Sequence, residues 1–263
     1  MRIVVPVRSV PDLVEEIELT ADETGIDREY LTFVLSEWDA QALEEALLLK
    51  DAGGAQVVAV GLADDPEIDQ ILYTALAKGA DAAVKIADAS VAGLSGPRVI
   101  RTADRAALLA GYLAAQPADL VVTGVQAADD LDGQLPATLA ALLDLPHVSV
   151  AVSVVAAGGS VTVRQEFAAG RSHELQVQLP AVIGVQSARQ APRYAPITRI
   201  RQAQQAGGLT EVAVLPRAAG AGLVVRRMHR PEASGHAEML TGSAGDVADQ
   251  IVGLLRARGL VKG

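Results

Sequence analysis

The chain contains no cysteine, so it can form no disulfide framework, no cysteine-ligated iron–sulfur cluster and no thiolate zinc site. Positive charge is also short: 22 Lys and Arg stand against 32 Asp and Glu, a formal net charge of -10. That balance argues against a nucleic-acid surface, because phosphate binding needs grouped cations. No stretch reaches the roughly 18 uncharged apolar residues of a membrane span. The opening Met1-Arg-Ile-Val-Val-Pro-Val is too short an apolar run for a secretory leader and lacks a small-residue cleavage pattern. A cytoplasmic location without direct membrane insertion is therefore expected. The four histidines, His147, His173, His229 and His236, share no metal-ligand spacing, and no G-x-S-x-G elbow occurs. These absences lead to the expectation of no catalytic residues and no metal site, and they describe a binder better than a self-contained catalyst.

What is present is a regular alternation. Half of the 263 residues are hydrophobic, mostly Ala, Val and Leu, enough for one large core or a domain with appendages. Arg2 to Val7 is a continuous β-branched run, as in a strand buried on both faces. Residues 8–35 interrupt the rhythm. A helix is then expected from Ser36 to the Gly53-Gly54 stop, a strand over Gln56 to Leu62, and a helix over Pro66 to Lys78 closed by Gly79. Ala82 to Ile86 reads as a strand, Thr102 as the cap of a helix through Ala115, Asp119 to Thr123 as a strand and Gln134 to Asp144 as a helix. After Pro146 the pattern turns β-rich: Val148 to Val155, Ser160 to Phe167, Ser172 to Leu179 and Ala181 to Gln186. Ser187 to about Pro231 shows little periodicity, and a helix returns over 245–259. The expected fold is α/β, a doubly wound, mostly parallel sheet with antiparallel strands added after residue 146, and a C-terminal extended arm plus helix.

In such a sheet, ligands bind beyond the carboxyl ends of the strands where strand order reverses. Three loops qualify: Arg8 to Asp12, Gly61 to Pro66, and Gly124 to Gly133. The third reads Gly124-Val-Gln-Ala-Ala-Asp-Asp-Leu-Asp-Gly-Gln134 ahead of an Ala/Leu-rich helix. A glycine before a helix start lets a phosphate reach unpaired N–H donors. The alternative reading has Asp132 simply capping the helix. The Asp129, Asp130 and Asp132 cluster has the residue types for a divalent ion, but a solvated acidic loop explains it as well. The spacing is neither the dinucleotide fingerprint nor a Walker loop.

A series of short motifs spans almost the whole chain and is similar, in order, to that of one known family. The similarity runs through Ile3-Val-Val-Pro-Val-Arg8 and Val10-Pro-Asp12, then Ile26-Asp-Arg28 and Val34-Leu-Ser-Glu-Trp-Asp-Ala-Gln-Ala-Leu-Glu-Glu-Ala-Leu47. It continues through Tyr73-Thr-Ala-Leu-Ala-Lys-Gly-Ala-Asp81, Asp119-Leu-Val-Val-Thr-Gly124, Leu179-Pro-Ala-Val-Ile-Gly-Val185 and Ala191-Pro-Arg-Tyr194. By the order and spacing of these motifs the chain resembles the electron-transfer flavoprotein beta-subunit family.

The resemblance implies an adenine nucleotide alpha hydrolase-like fold and a heterodimer with an alpha subunit that carries FAD. It implies AMP in the beta subunit, or a second FAD as in electron-bifurcating relatives. By motif match the nucleotide site comprises Pro6, Ser36, Gly124, Gln126, Asp130, Asp132, Gly133 and Gln134. Pro192 to Ala203 is similar to the loop that docks on acyl-CoA dehydrogenases, with Pro192, Arg193, Tyr194 and Ile197 as contacts and Ile197 where the family usually has Leu. Electrons would pass to a quinone-linked oxidoreductase or another acceptor, and the chain itself would be a carrier subunit, not an enzyme. The division expected from the resemblance is a nucleotide-binding domain over 1–190, then a docking loop, arm and helix over 191–263 that pack on the partner. The chain departs from the family at Asp132, where a small residue is usual, at Pro6 for Ala, at Ser36 for Asn, and at Gln202, Gln204 and Gln205 for lysines. A carboxylate at Asp132 would repel a phosphate, so a subunit that has lost AMP is a second reading. A stand-alone adenine-nucleotide enzyme is a third, although its S-G-G-x-D-S or H-I-G-H signatures are missing.

Overall fold

The computed structural model describes residues 1–91, 101–130, 133–217, 226–231, 237 and 239–261. The first strand is β1 (Arg2–Pro6), followed by a two-stranded antiparallel ribbon, β2 (Ser9–Pro11) and β3 (Phe33–Leu35), within the stretch where the sequence shows only a break in rhythm. Then come α1 (Glu37–Gly53), β4 (Gln56–Leu62), α2 (Ile68–Lys78), β5 (Ala82–Asp88), α3 (Thr102–Ala115), β6 (Leu120–Gly124) and α4 (Leu135–Leu143). The β-rich stretch gives β7 (His147–Ala157), β8 (Ser160–Phe167), β9 (Arg171–Gln178) and β10 (Ala181–Val185). Next are α5 (Ile197–Ala206), β11 (Leu209–Val214) and α6 (Ala244–Ala257).

Among the described residues nine strands form one sheet in the order β11-β5-β4-β1-β6-β10-β7-β8-β9. The pairings are parallel except those of β8, which runs against both of its neighbours. The antiparallel strands after residue 146 are thus β7–β8–β9, whereas β10 turns back into the middle, between β6 and β7. Its sequence, Ala-Val-Ile-Gly-Val, is buried throughout, which is what a central parallel strand requires.

Alternation along the strands divides the core into two layers. Ile3, Val5, Val57, Leu120, Val122 and Ile183 pack under α1 and α2, beside Leu43, Leu47 and Leu72. Val4, Val58, Val121 and Val182 pack under α3 and α4, beside Leu109, Tyr112 and Leu139. Each such Leu or Ile contributes about 1.5–3 kcal/mol by leaving water.

The irregular stretch expected from Ser187 to Pro231 instead contains α5 and β11. Helix α5 buries no side chain, and Ile-Thr-Arg-Ile-Arg-Gln-Ala-Gln-Gln-Ala is mostly polar, so it lacks the apolar content that betrays a core-facing helix. Strand β11 pairs in parallel with β5 at the sheet edge. The compact unit that includes them runs Met1–Arg226, and Arg227–Gly263 forms a second unit. In the second unit, α6 opens on a capping box, with Ser243 Oγ and the Asp246 carboxylate answering each other's backbone N–H. No helix among the described residues is long and apolar enough to cross a membrane.

Candidate functional site

From β1 the chain moves outward through β4 and β5, then returns to β6 on the other side of β1. The C-terminal ends of β1 and β6 therefore flank the reversal in strand order, the place where a doubly wound sheet opens a crevice. Pro6 sits at this end of β1. The β1–β6 register stops at Val4↔Val121, so proline falls where β1 has already parted from β6. A missing N–H is tolerated there.

Gly124 closes β6, and α1 presses directly on it. A Cβ at this position would lie 2.7 Å from Asp39 Oδ1, 2.8 Å from Trp38 Cβ and 2.9 Å from the Trp38 carbonyl carbon. The glycine thus lets the first turn of α1 rest on the strand end. Ser36 occupies the N-cap position of α1, yet its side chain caps nothing; its own N–H donates to the Arg8 carbonyl at 3.1 Å. Ser36 Oγ and Thr123 Oγ1 are buried and have no hydrogen-bond partner among the described residues. An unsatisfied buried hydroxyl costs about 1–3 kcal/mol, so each of them, Ser36 at the start of α1 and Thr123 near the end of β6, asks for a ligand or an ordered water.

Beside them lies a buried charge cluster that the sequence reading missed. Arg8, 4% exposed, donates its backbone N–H to Asp39 Oδ2 at 3.1 Å. Its guanidinium reaches Asp130 Oδ2 at 3.2 Å, Asp129 Oδ1 at 3.4 Å and Asp39 Oδ2 at 3.7 Å. Asp130 Oδ1 accepts from the Thr102 hydroxyl at 3.0 Å and the Gly133 N–H at 3.2 Å. Asp130 is therefore a buried hub, which corrects the expectation of a solvated acidic loop. Thr102 is not the cap of α3 but its first residue, with Arg101 before it and the hydroxyl turned to Asp130. Burial acts against ionisation of Asp130, but Arg8 and the donors from Thr102 and Gly133 hold its carboxyl below the usual range. Asp39 goes the other way: burial pushes it up to about 6, against the pull of Arg8 and Arg105.

The remaining expected site residues fall around this hub. Gln126 is exposed and faces Gly133, whose φ of 57° is the left-handed conformation that suits glycine. Gln134 takes the N-cap position of α4 without a side-chain cap, so the cap expected at Asp132 stands two residues later; Asp132 itself lies outside the described residues. Helix α3 likewise starts without a side-chain cap. Three helices, α1, α3 and α4, thus begin with first-turn N–H groups free of side-chain caps. Donors in this number, two unspent hydroxyls and a strand end that only glycine fits suit a phosphorylated ligand. Among the described residues no group of three or more Asp, Glu or His is placed to hold a metal ion.

The expected docking residues lie elsewhere, on the segment after β10. Arg193 is turned inward: its N–H donates to Glu44 Oε2 at 2.8 Å and its guanidinium to Glu44 Oε1 at 2.9 Å and Asp51 Oδ2 at 3.0 Å. One step earlier, Arg189 holds Glu45 in the same way, and Glu45 Oε1 also accepts from Val154 N–H at 2.6 Å. Gln41 Oε1 accepts from Ala188 N–H, and Lys78 Nζ donates to the Arg193 carbonyl. Side chains of α1 and α2 therefore strap this segment down. Pro192 is half-buried in it, while Tyr194 is 79% and Ile197 62% exposed.

Residues 24–218 match the family model described as electron transfer flavoprotein domain. The chain is 29% identical over 265 residues to electron transfer flavoprotein subunit beta of Methylophilus methylotrophus, covering 97% of this chain and 98% of that one. To the subunit of the same name from Mycobacterium tuberculosis (strain ATCC 25618 / H37Rv) it is 34% identical over 196 residues, 73% and 71% of the two chains. It is also 28% identical over 269 residues to subunit CarD of the caffeyl-CoA reductase-Etf complex of Acetobacterium woodii, covering 99% of this chain and 100% of that one.

Proposed function

This chain belongs to the electron transfer flavoprotein family as a beta subunit, and from that premise we propose that it is the non-catalytic half of a heterodimer whose alpha subunit carries FAD. The redox chemistry belongs to that FAD when bound: electrons come from a flavin dehydrogenase of the acyl-CoA dehydrogenase type and go to a quinone-linked oxidoreductase or another acceptor. This chain's own residues do two things. Arg189 and Arg193, held by Glu45 and Glu44, fix the segment from which Tyr194 and Ile197 project toward the dehydrogenase. The end of β6 with the starts of α1 and α4 binds an adenine nucleotide, AMP, and excludes water from the crevice.

The observation that carries the nucleotide reading is the pair of buried, unspent hydroxyls, Ser36 Oγ and Thr123 Oγ1, at the reversal of strand order. Asp130 is compatible with it, because its carboxylate is committed to Arg8, Thr102 and Gly133. The test is co-expression with the alpha subunit, followed by mass spectrometry of ligands released on denaturation. The pair is expected to be yellow and to release FAD and AMP, and this chain alone to show little flavin absorbance. Substrate turnover or stoichiometric flavin in the lone chain overturns the reading. A second reading, a second FAD in place of AMP, is favoured by the end-to-end similarity to a subunit of a caffeyl-CoA reductase-Etf complex. Two FAD per heterodimer and no AMP would select it.

A further inference from the structure

We infer that Arg105 is the residue by which this crevice recognises a phosphate group, so that it selects a nucleotide over the unphosphorylated nucleoside. The inference rests on the nucleotide reading above and adds the residue that reads the charge. Arg105 lies in the first turn of α3 and is only 9% exposed. Its guanidinium stands in the field of Arg8, Asp129, Asp39 and Asp65. Thr102, one turn earlier on the same side of α3, donates to Asp130, so this turn of the helix abuts the loop after β6, and the residues whose charges act on Arg105 belong to the loops after β1, β4 and β6 and to the first turn of α1.

Arg105 differs from the other buried or half-buried arginines in how its donors are used. Arg8 is paired with three carboxylates, Arg189 with Glu45, and Arg193 with Glu44 and Asp51. Among the described residues the Arg105 guanidinium makes no hydrogen bond and no ion pair within 4.0 Å, although its backbone N–H donates to the Arg101 carbonyl. The nearby acids have committed oxygens. Asp65 accepts from Ser9 N–H, Ser9 Oγ and Glu67 N–H; Asp39 accepts from Arg8 N–H; Asp129 pairs with Arg8. They balance charge at a distance without meeting the five N–H donors of the guanidinium. The side chain is largely enclosed, while its unpaired nitrogens are not fully buried, so they remain open to acceptors that a ligand brings.

The chemistry of the missing acceptor follows from what surrounds it. A fork of N–H groups matches paired oxygens on one centre, and phosphate presents them on every face. The uncapped first turns of α1, α3 and α4 add N–H donors and the positive ends of three helix dipoles. Ser36 Oγ, at the start of α1, adds a further unspent hydroxyl. The crevice is thus rich in unspent donors, as a phosphate requires.

The test is calorimetric titration of the alpha–beta complex, freed of bound nucleotide, with AMP and with adenosine. The wild-type complex should bind AMP about 10- to 100-fold more tightly than adenosine, the range of one or two charge-assisted hydrogen bonds. Arg105→Gln should remove that preference and leave adenosine affinity within about threefold, while Arg105→Lys restores part of the preference. Unchanged adenosine binding also shows that the variant is folded. An Arg105→Gln complex that still prefers AMP to the wild-type degree overturns the inference while the nucleotide reading stands. Equal wild-type affinity for AMP and adenosine overturns it without recourse to a variant. A wild-type complex that binds neither ligand overturns the nucleotide reading itself, and the inference with it.

Discussion

Asp39 is 2% exposed and lies between two arginines, yet burial lifts its carboxyl to about 6, above the ordinary 3.8. The folded state therefore holds its proton more tightly than the unfolded chain, and ionising Asp39 costs stability. That cost grows as pH rises from about 4 to about 6 and is complete above it, on the order of 2–3 kcal/mol. Asp39→Asn should flatten this part of the stability–pH profile, measured as the difference from wild type in urea midpoints across pH 4 to 7. Asp130 has the opposite sign: its lowered value adds stability at neutral pH that is lost as pH falls through it, so Asp130→Asn should be less stable than wild type at pH 7. Gly124→Ala drives a methyl into the Trp38 backbone and should cost about 1–3 kcal/mol, read from the same urea curves, together with loss of retained nucleotide. The sequence showed Gly124 and Gly133 as site candidates because their loop follows a strand, and Ser36 only by motif match. It hid Arg105 in plain view: with Leu108, Leu109 and Tyr112 it completes an i, i+3, i+4, i+7 stripe that is otherwise apolar. A charge on such a stripe is the signal that could have found it, and Arg8 offered no such signal because its partners come from loops far along the chain.

Among the elements, those rich in apolar residues were legible and those fixed by polar contacts were not. The strands β4 and β8 and the helices α1, α2 and α4 fall close to where hydrophobic pattern and glycine stops put them. The β2–β3 ribbon, α5 and β11 were missed, since they are short or mostly exposed and lean on neighbours that a local pattern cannot display. The segment before α5 makes the point most sharply. It is held by Gln41, Glu44 and Glu45, three polar residues of one helix that accept its backbone N–H groups. Glu45→Leu would orphan Val154 N–H and the Arg189 guanidinium together and should lower stability by about 3 kcal/mol, checked by thermal or urea unfolding. Glu44→Gln removes the charge that holds Arg193 and should raise hydrogen exchange over residues 189–196 before it affects the strands.

For the whole molecule, the nine-stranded sheet and both of its cores lie within Met1–Arg226. A chain ending at Arg226 should therefore lose only the helical circular-dichroism signal of α6 and still unfold cooperatively. If the second unit, with α6, serves the alpha partner, the same truncation should fail to recover that partner in co-purification. The outermost strand on one side raises a separate matter. Strand β5 is flanked by β4 early, but its other neighbour, β11, is encoded after α3, β6, α4, four further strands and α5. While the ribosome is still delivering those elements, the backbone groups along one side of Ala82–Asp88 have no native mate, and such a bare border is a template for wrong pairing. Chains stalled or cut short before Val214 leave that border open for good, so truncated translation products should precipitate or be captured by chaperones where the full chain does not.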